Sequence, residues 1–340
     1  MIHSGKKAVV LGLGHSGEAA ATLLIEEGAQ VTISESGDSP AIRSKGEELQ
    51  KRGANVIIGP EADIDPAIYD VAILSPGIDP SVPLVQNVIA KGIPIIGELE
   101  LAFQECTCPV VAITGTNGKT TTTELCTHIL LQCGIRTMAS GNIGLPFAKA
   151  VRESQNLDVM VLEVSSFQLE TVKTFHPKVA AWLNLSPNHL DRYTSVDEYR
   201  EAKLRILENL TAEDTLVINA QTDPLSTAAK IITFSAVKEE ADFTLKNTTI
   251  HFHGFPVIDQ ESTNLQGIHN AENIMAALGI GMALHIDLAS MAAAIASYTP
   301  PVHRCEFVRE LDGVKWINDS KATNLDAMQM AIRSQTRPLI

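Results

Sequence analysis

The sequence predicts an α/β protein: an N-terminal Rossmann-like parallel-sheet domain, then a P-loop mononucleotide-binding central domain, with a third domain only begun. Three observations carry this. Short β-rich runs alternate with helical stretches from Lys7 to Ile96, a second alternating series starts at Val110, and each series opens with a glycine loop between a strand and a helix.

In the first series, strand Lys7–Leu11 leads to helix Ser16–Glu27 and strand Gln30–Ser34. Helix Ala41–Arg52 and strands Asn55–Ile58 and Val71–Leu74 follow, then helix Val85–Lys91 and strand Ile93–Ile96. The second series has strand Val110–Ile113, helix Thr121–Cys133 and strands Val159–Glu163, Ala180–Leu185 and Thr215–Asn219. Past Ile231 the pattern weakens. Phe243–Phe252 alternates as an antiparallel hairpin does, and Asn270–Leu284 reads as an apolar helix. The prolines of Tyr298-Thr299-Pro300-Pro301 stop a helix and extend the chain, so the expected domains are residues 1–98, 99–300 and 301–340.

With 45% hydrophobic and 19% charged residues the chain can build buried cores, which excludes a disordered protein. Its formal charge of −14 has no Lys/Arg block to offset it, which argues against nucleic acid and anionic membrane surfaces as partners. An anionic ligand must then be held by glycine loops, helix N-termini, single cations or a metal. No apolar run approaches the ~18 residues of a membrane span. Lys6 and Lys7 lead straight into a strand and not into a signal segment. The cysteines, Cys106, Cys108, Cys126, Cys133 and Cys305, are odd in number and lack CxxC spacing. They are expected to be reduced, mostly buried thiols of a cytoplasmic protein.

Gly12-Leu13-Gly14-His15-Ser16-Gly17 is a G-x-G-x-x-G between strand and helix, with Glu35 about where a ribose-binding acid would sit. The glycines let phosphate approach a helix N-terminus whatever nucleotide carries it, so a dinucleotide, another nucleotide and a structural turn all remain open. The second loop is more specific. In Val110–Thr122, Gly115, Thr116, Asn117 and Gly118 lead into Lys119, Thr120 and Thr121. Backbone N–H groups face phosphate oxygens, Lys119 brings a charge to the β/γ-phosphates, and the Thr120 hydroxyl can coordinate Mg²⁺. Ile113 stands where the common motif has glycine, so this is the shorter T-G-T-N-G-K-T form. Glu163 ends a strand and is read as a magnesium ligand or a solvated strand end. His189 is a loop histidine or a ligand, and Lys203 reads most simply as a surface lysine on a helix Glu198–Leu210.

Together these motifs resemble the Mur ligases, which add amino acids to the peptidoglycan precursor in the bacterial cytoplasm. The resemblance rests on Thr114-Gly-Thr-Asn-Gly-Lys-Thr120, Ser75-Pro-Gly-Ile78, Gly141-Asn-Ile-Gly-Leu-Pro146 and Leu162-Glu-Val-Ser-Ser-Phe-Gln-Leu-Glu170. It continues in Asn184-Leu-Ser-Pro-Asn-His-Leu-Asp-Arg-Tyr193, Ala202-Lys-Leu-Arg-Ile206 and Trp316-Ile-Asn-Asp-Ser-Lys-Ala-Thr-Asn324. These segments are closest to the branch of the family that adds D-glutamate.

The resemblance implies ATP-dependent ligation of D-glutamate to UDP-N-acetylmuramoyl-L-alanine through an acyl phosphate, with two Mg²⁺ sites. Gly14, His15, Ser16, Glu35, Ser75, Pro76 and Gly77 would hold the UDP end. Asn142, Ser165, Gln168 and His189 would line the path of the muramoyl-alanine end. Thr120 and Glu163 would serve one magnesium, and His189 with a carbamylated Lys203 the other. Asn270 and Asn273 would meet the adenine and Asp319 the ribose. Arg304 would reach the γ-phosphate, and Lys321 would lie near the reacting groups.

The family's third domain is longer than the segment from 301 to Ile340. The expectation is therefore that this 340-residue chain, a monomer, binds the UDP substrate and ATP but ligates D-glutamate weakly or not at all. The alternatives are another Mur-type ligase, a nucleotide binder without chemistry, or an NAD-dependent oxidoreductase built on Gly12–Gly17.

Overall fold

The computed structural model describes residues 2–59, 64–223, 225–300 and 306–321, with positions 328, 329, 332 and 338 beyond them. In chain order the elements are β1 (Lys7–Leu11), α1 (His15–Glu26), β2 (Gln30–Glu35), α2 (Pro40–Lys51), β3 (Asn55–Ile58), β4 (Val71–Leu74), α3 (Pro83–Ala90), β5 (Ile95–Gly97) and α4 (Glu98–Glu105). Next come β6 (Val110–Thr114), α5 (Lys119–Gln132), β7 (Thr137–Gly141), α6 (Phe147–Ala150), β8 (Val159–Glu163), α7 (Ser166–Leu169), β9 (Val179–Trp182) and α8 (Val196–Leu204). The last are β10 (Thr215–Asn219), β11 (Lys230–Ser235), β12 (Phe243–Lys246), β13 (Thr249–Phe252), β14 (Phe255–Asp259), α9 (Ile268–Ala283), α10 (Leu288–Ser297), β15 (Glu306–Leu311) and β16 (Val314–Asn318).

Two units can be distinguished. The first comprises residues 1–110, 139–177 and 201–209. Its five-stranded sheet has the order β3-β2-β1-β4-β5, and every pair is parallel. Ala8-Val9-Val10-Leu11 is buried because a central parallel strand is covered on both faces, which is why it is apolar throughout and does not alternate. Val9, Leu11, Tyr69, Leu74, Val85 and Val88 form one cluster. Each such apolar side chain contributes ~1.5–3 kcal/mol when fully buried. The strand order reverses direction at β1 and β4, which opens a crevice over their carboxyl ends. The Gly12–Gly17 loop leaves β1 at that end, and Ser75–Gly77 leaves β4 there.

The second unit comprises residues 111–138, 178–200 and 210 onward. Its strands run β14-β13-β12-β11-β10-β9-β6, parallel from β6 to β12 and antiparallel from β12 to β14. The alternation in Phe243–Phe252 is the β12–β13 pair, with Phe243 opposite Phe252. α9 lies close on β10, because a Cβ at Gly279 would come within 2.9 Å of Val217.

Several elements differ from the sequence reading. The helix expected over Glu198–Leu210 ends at Leu204, and the 3₁₀ turn Arg205–Leu207 follows, where Arg205 donates to the carbonyls of Glu170 and Val172. The strand expected to reach Leu185 stops at Trp182, because Asn184 turns to the phosphate loop. α4, β14 and the alanine-rich α10 carry little periodic signal and enter only with the structure. Of the described cysteines only Cys126 is fully buried; Cys106, Cys108 and Cys133 are half-buried, which corrects the expectation of mostly buried thiols. Cys305 lies outside the described residues. Among those residues no helix is long and apolar enough to cross a membrane.

Candidate active site

The phosphate loop joins fully buried β6 to α5, whose first residue is Lys119. Gly118 has φ +83°, a left-handed conformation that favours glycine, and it lies against Asn273, so a Cβ there would strike the Asn273 amide. Gly115 has no room for a side chain either, since its Cβ would meet Leu183 Cβ at 2.9 Å. Thr120 is half-buried in the first turn of α5. That turn carries no acidic residue, and its backbone N–H groups with the helix dipole favour an anion. Lys119 Nζ donates to the carbonyls of Gly115 and Thr116 at 3.0 and 2.9 Å, so the charge is held at the loop.

The loop's shape is imposed from outside. Asn184 Oδ1 accepts from the N–H of Thr116 at 3.1 Å and of Asn117 at 2.8 Å, and Asn184 Nδ2 donates to the Asn117 carbonyl. Two N–H groups expected to face phosphate therefore turn to a side chain, and anion binding falls to the start of α5. The Thr116 hydroxyl is fixed by Ser186 and the Tyr199 hydroxyl. From α9, Asn273 Oδ1 accepts from Thr122, and its amide donates to Asn270, which donates to the Gln266 carbonyl. Asn270 and Asn273 thus form one chain behind Gly118. Sequence reading assigned Asn184 no role, because it placed Asn184 inside the strand Ala180–Leu185; the structure ends that strand at Trp182 and frees Asn184 to turn to the loop.

In the first unit, Glu163 ends β8 and is 3% exposed, which rules out the solvated strand end. Its Oε1 accepts from Asn142 Nδ2 at 2.8 Å, and its carbonyl accepts from the Asn142 N–H. Ser165 and Gln168 cap each other at the start of α7: Ser165 Oγ accepts from the Gln168 N–H, and Gln168 Oε1 accepts from the Ser165 N–H. Lys203 is 1% exposed, so it is no surface lysine.

At the carboxyl end of the first sheet, Gly12 has φ +93°, and Ser75 Oγ donates to its carbonyl at 3.3 Å. Gly17 packs on the Gly12 carbonyl so closely that no side chain fits. Gly14 precedes α1, His15 begins it, and both are exposed; Ser16 is half-buried. Pro76 is half-buried and Gly77 exposed beside them. Glu35 spends both oxygens on backbone, accepting from Leu13 N–H and Gly37 N–H at 2.6 Å each. Its observed partners are therefore the glycine loop and the β2 turn.

His189 is exposed, with φ +55°, uncommon for a residue with a side chain. Its carbonyl accepts from Arg192 and Tyr193, and its ring meets Tyr199 edge-on with centroids 6.0 Å apart. Burial lowers the pKa of His269 at the start of α9, and the Asp319 carboxylate, within electrostatic reach of that ring, opposes this. Lys321 is exposed, and Arg304 lies outside the described residues. Among the described residues no three His, Cys, Asp or Glu side chains cluster as a metal site.

A parallel sheet with a glycine loop at its switch point, and a second sheet carrying a shortened phosphate loop, together define a nucleotide-binding α/β class. A family model described as the Mur ligase middle domain matches residues 113–281, and one for the Mur ligase MurD-like N-terminal domain matches residues 6–97. The chain belongs to the Mur ligase family. It is 38% identical to the UDP-N-acetylmuramoylalanine–D-glutamate ligase of Pelotomaculum thermopropionicum, over 98% of this chain and 76% of that one. It is 36% identical to the enzyme of that name from Streptococcus pneumoniae, over 96% and 74%. Among solved structures, MurF of Acinetobacter baumannii aligns with TM-score 0.62 at 18% identity, over 96% of this chain and 71% of that one. MurF of Thermotoga maritima in complex with ADP aligns with TM-score 0.59 at 17% identity, over 90% and 71%. At those identities the two structures speak to the fold alone.

Proposed function

We propose that the chain serves ATP-dependent addition of D-glutamate to UDP-N-acetylmuramoyl-L-alanine, as a monomer in the cytoplasm. The observation that carries this is the phosphate loop pinned by Asn184, in a chain 38% identical to ligases of that name. The L-alanine carboxylate attacks the γ-phosphorus of ATP, forming the acyl phosphate and releasing ADP. The D-glutamate amine attacks the acyl carbon, loses a proton, and phosphate departs as the amide forms. The protein's part is alignment and neutralisation of charge. Lys119 leaves the loop carbonyls for the transferred phosphate, and the start of α5 holds the adjacent phosphate oxygens. Asn270, Asn273 and Asp319 are assigned to the nucleoside, and Arg304 and Lys321 to the phosphoryl end. Gly14, His15, Ser16 and Ser75–Gly77 are assigned to the UDP end, with Glu35 shaping that loop. Asn142, Ser165 and Gln168 are assigned to the muramoyl-alanine end.

Magnesium fits the donor chemistry, since the Thr120 hydroxyl and the buried Glu163 carboxylate are the hard oxygen donors it prefers. His189 and Lys203 are assigned to a second ion; carbamylation would make the buried lysine an oxygen ligand. Bound ions would offset the negative charge of the phosphates. Any phosphate release, however weak, is expected to require ATP, UDP-N-acetylmuramoyl-L-alanine and D-glutamate together, and to be lost with L-glutamate or in Lys119→Ala. Release independent of the amino acid, or unchanged in Lys119→Ala, would sink the reading.

A further inference from the structure

The segment that ends β5 and opens α4, Gly97-Glu98-Leu99-Glu100, carries two acids inside the protein. Glu98 is 1% exposed and Glu100 fully buried. A buried carboxylate is costly unless hydrogen bonds answer it. Glu100 is answered fully: Lys173, Thr174 and Phe175 donate their N–H groups to it, and Thr174 adds its hydroxyl. Glu98 is answered once. Its Oε1 accepts from the Ala148 N–H at 2.5 Å, fifty residues away in sequence. Its Oε2 has no hydrogen-bond partner among the described residues.

The position of Ala148 gives that single bond a meaning. Ala148 is in the first turn of α6, which has no side-chain cap of its own. Glu98 supplies the missing acceptor. α6 begins directly after the Gly141–Pro146 loop, which closes on itself through Gly141 N–H to the Leu145 carbonyl. The same loop presents Asn142, whose side chain and N–H both hold Glu163. The start of α4 is locked in turn, because a Cβ on Gly97 would collide with Thr171 Oγ1 beside α7. A closely packed segment thus holds one end of the loop through Glu98, while Glu163 holds the other.

We propose that Glu98 is a positioning residue for the muramoyl-alanine end of the substrate: by capping α6 it holds the loop that presents Asn142 to Glu163. This rests on the function proposed above. Reach matters more than charge. Glu98→Gln keeps an acceptor at the same distance, whereas Glu98→Asp keeps the charge but falls one methylene short of Ala148.

The test is calorimetric binding of UDP-N-acetylmuramoyl-L-alanine and of UDP alone to the native chain and both variants. UDP alone reports the glycine loop of the first sheet and controls for general loosening. Glu98→Asp is expected to weaken binding of the full nucleotide sugar about tenfold, with UDP affinity unchanged, as loss of a buried hydrogen bond that orders the site would. Glu98→Gln is expected to stay within about twofold of the native chain. Equal affinities in Glu98→Asp and the native chain, or equal losses for both ligands, overturn the inference. A native chain that fails to bind the nucleotide sugar overturns the functional reading and this inference with it. If Glu98→Asp does not fold, amide exchange on the native chain decides. The Ala148 and Asn142 amides are expected to gain protection together when the nucleotide sugar binds, and no gain at Ala148 overturns the inference.

Discussion

Asn184 Oδ1 lies 2.8 Å from the backbone nitrogen of Asn117 and 3.1 Å from that of Thr116, so one amide oxygen holds two N–H groups of the phosphate loop. The loop is therefore shaped before any nucleotide arrives, which lowers the ordering cost of binding. Asn184→Ala takes that acceptor from the Asn117 N–H, at about 1–3 kcal/mol where it stays buried, while the Thr116 N–H keeps the Asn184 carbonyl at 3.1 Å. The expected outcome is a lower unfolding temperature and an ADP affinity reduced about tenfold by calorimetry. An unchanged ADP affinity would show that the loop holds its shape without Asn184.

Glu35 does for the first glycine loop what Asn184 does for the second. Its two oxygens take the N–H groups of Leu13 and Gly37, so the acid that a nucleotide-fold pattern assigns to a ribose is occupied by backbone. Glu35→Ala is expected to lower UDP affinity about tenfold and cost about 1–3 kcal/mol of stability. Glu35→Gln, with one acceptor oxygen, should fall between. If Glu35→Ala binds UDP as the native chain does, the contact is not what shapes the loop.

The parts of the site that could be read in the sequence are those whose signal is local. The strand, glycine loop and helix around Gly115–Thr120 announce themselves within a dozen or so residues, as does the run Lys7–Leu11 buried on both faces. What escaped was carried by contacts across long stretches of chain. Asn184 is 68 residues from Thr116, and Glu98 is 50 residues from Ala148. Gly97-Glu98-Leu99-Glu100 shows alternating acids, the mark of a surface, yet both acids are inside. Lys203 misleads in the same way. A helical lysine is exposed unless something nearby needs it, and periodicity says nothing of what is nearby. The resemblance to a family supplied that missing context for Lys203 and Glu163, but not for Glu98 or Asn184.

Burial raises the Glu98 carboxyl from its ordinary value to about 7, against the single bond from Ala148. Between about 4.5 and 7 the folded chain then keeps a proton that the unfolded chain has lost. Stability from this group is accordingly full below about 4.5 and falls as pH rises to about 7. The whole effect is at most about 3.5 kcal/mol, from a shift of this size at ~1.4 kcal/mol per unit. Glu98→Gln cannot titrate, so it should gain on the native chain between pH 5 and pH 8. Denaturant unfolding of both proteins at the two pH values measures this. Parallel changes in the two would place the Glu98 pKa near its ordinary value.

Cys106 and Cys108 point their sulfurs at one another, 4.0 Å apart, at the end of α4. A thiolate at Cys106 is favoured by the Cys108 thiol, which donates to it, and this outweighs burial and brings Cys106 down to about 7. The same coupling pushes Cys108 up, because only one proton is readily lost from the pair. Burial alone pushes Cys126 up to about 12, and burial with Asp287 raises Cys133. Alkylation follows the thiolate. Iodoacetamide at about pH 7.5 is therefore expected to label Cys106 first, ahead of the less buried Cys133, and Cys126 last. Cys108→Ala removes the donor and should move the midpoint of Cys106 labelling upward in pH. Peptide mapping by mass spectrometry reads both effects. Labelling of Cys133 before Cys106, or a midpoint indifferent to Cys108→Ala, would show that the pair does not share its proton.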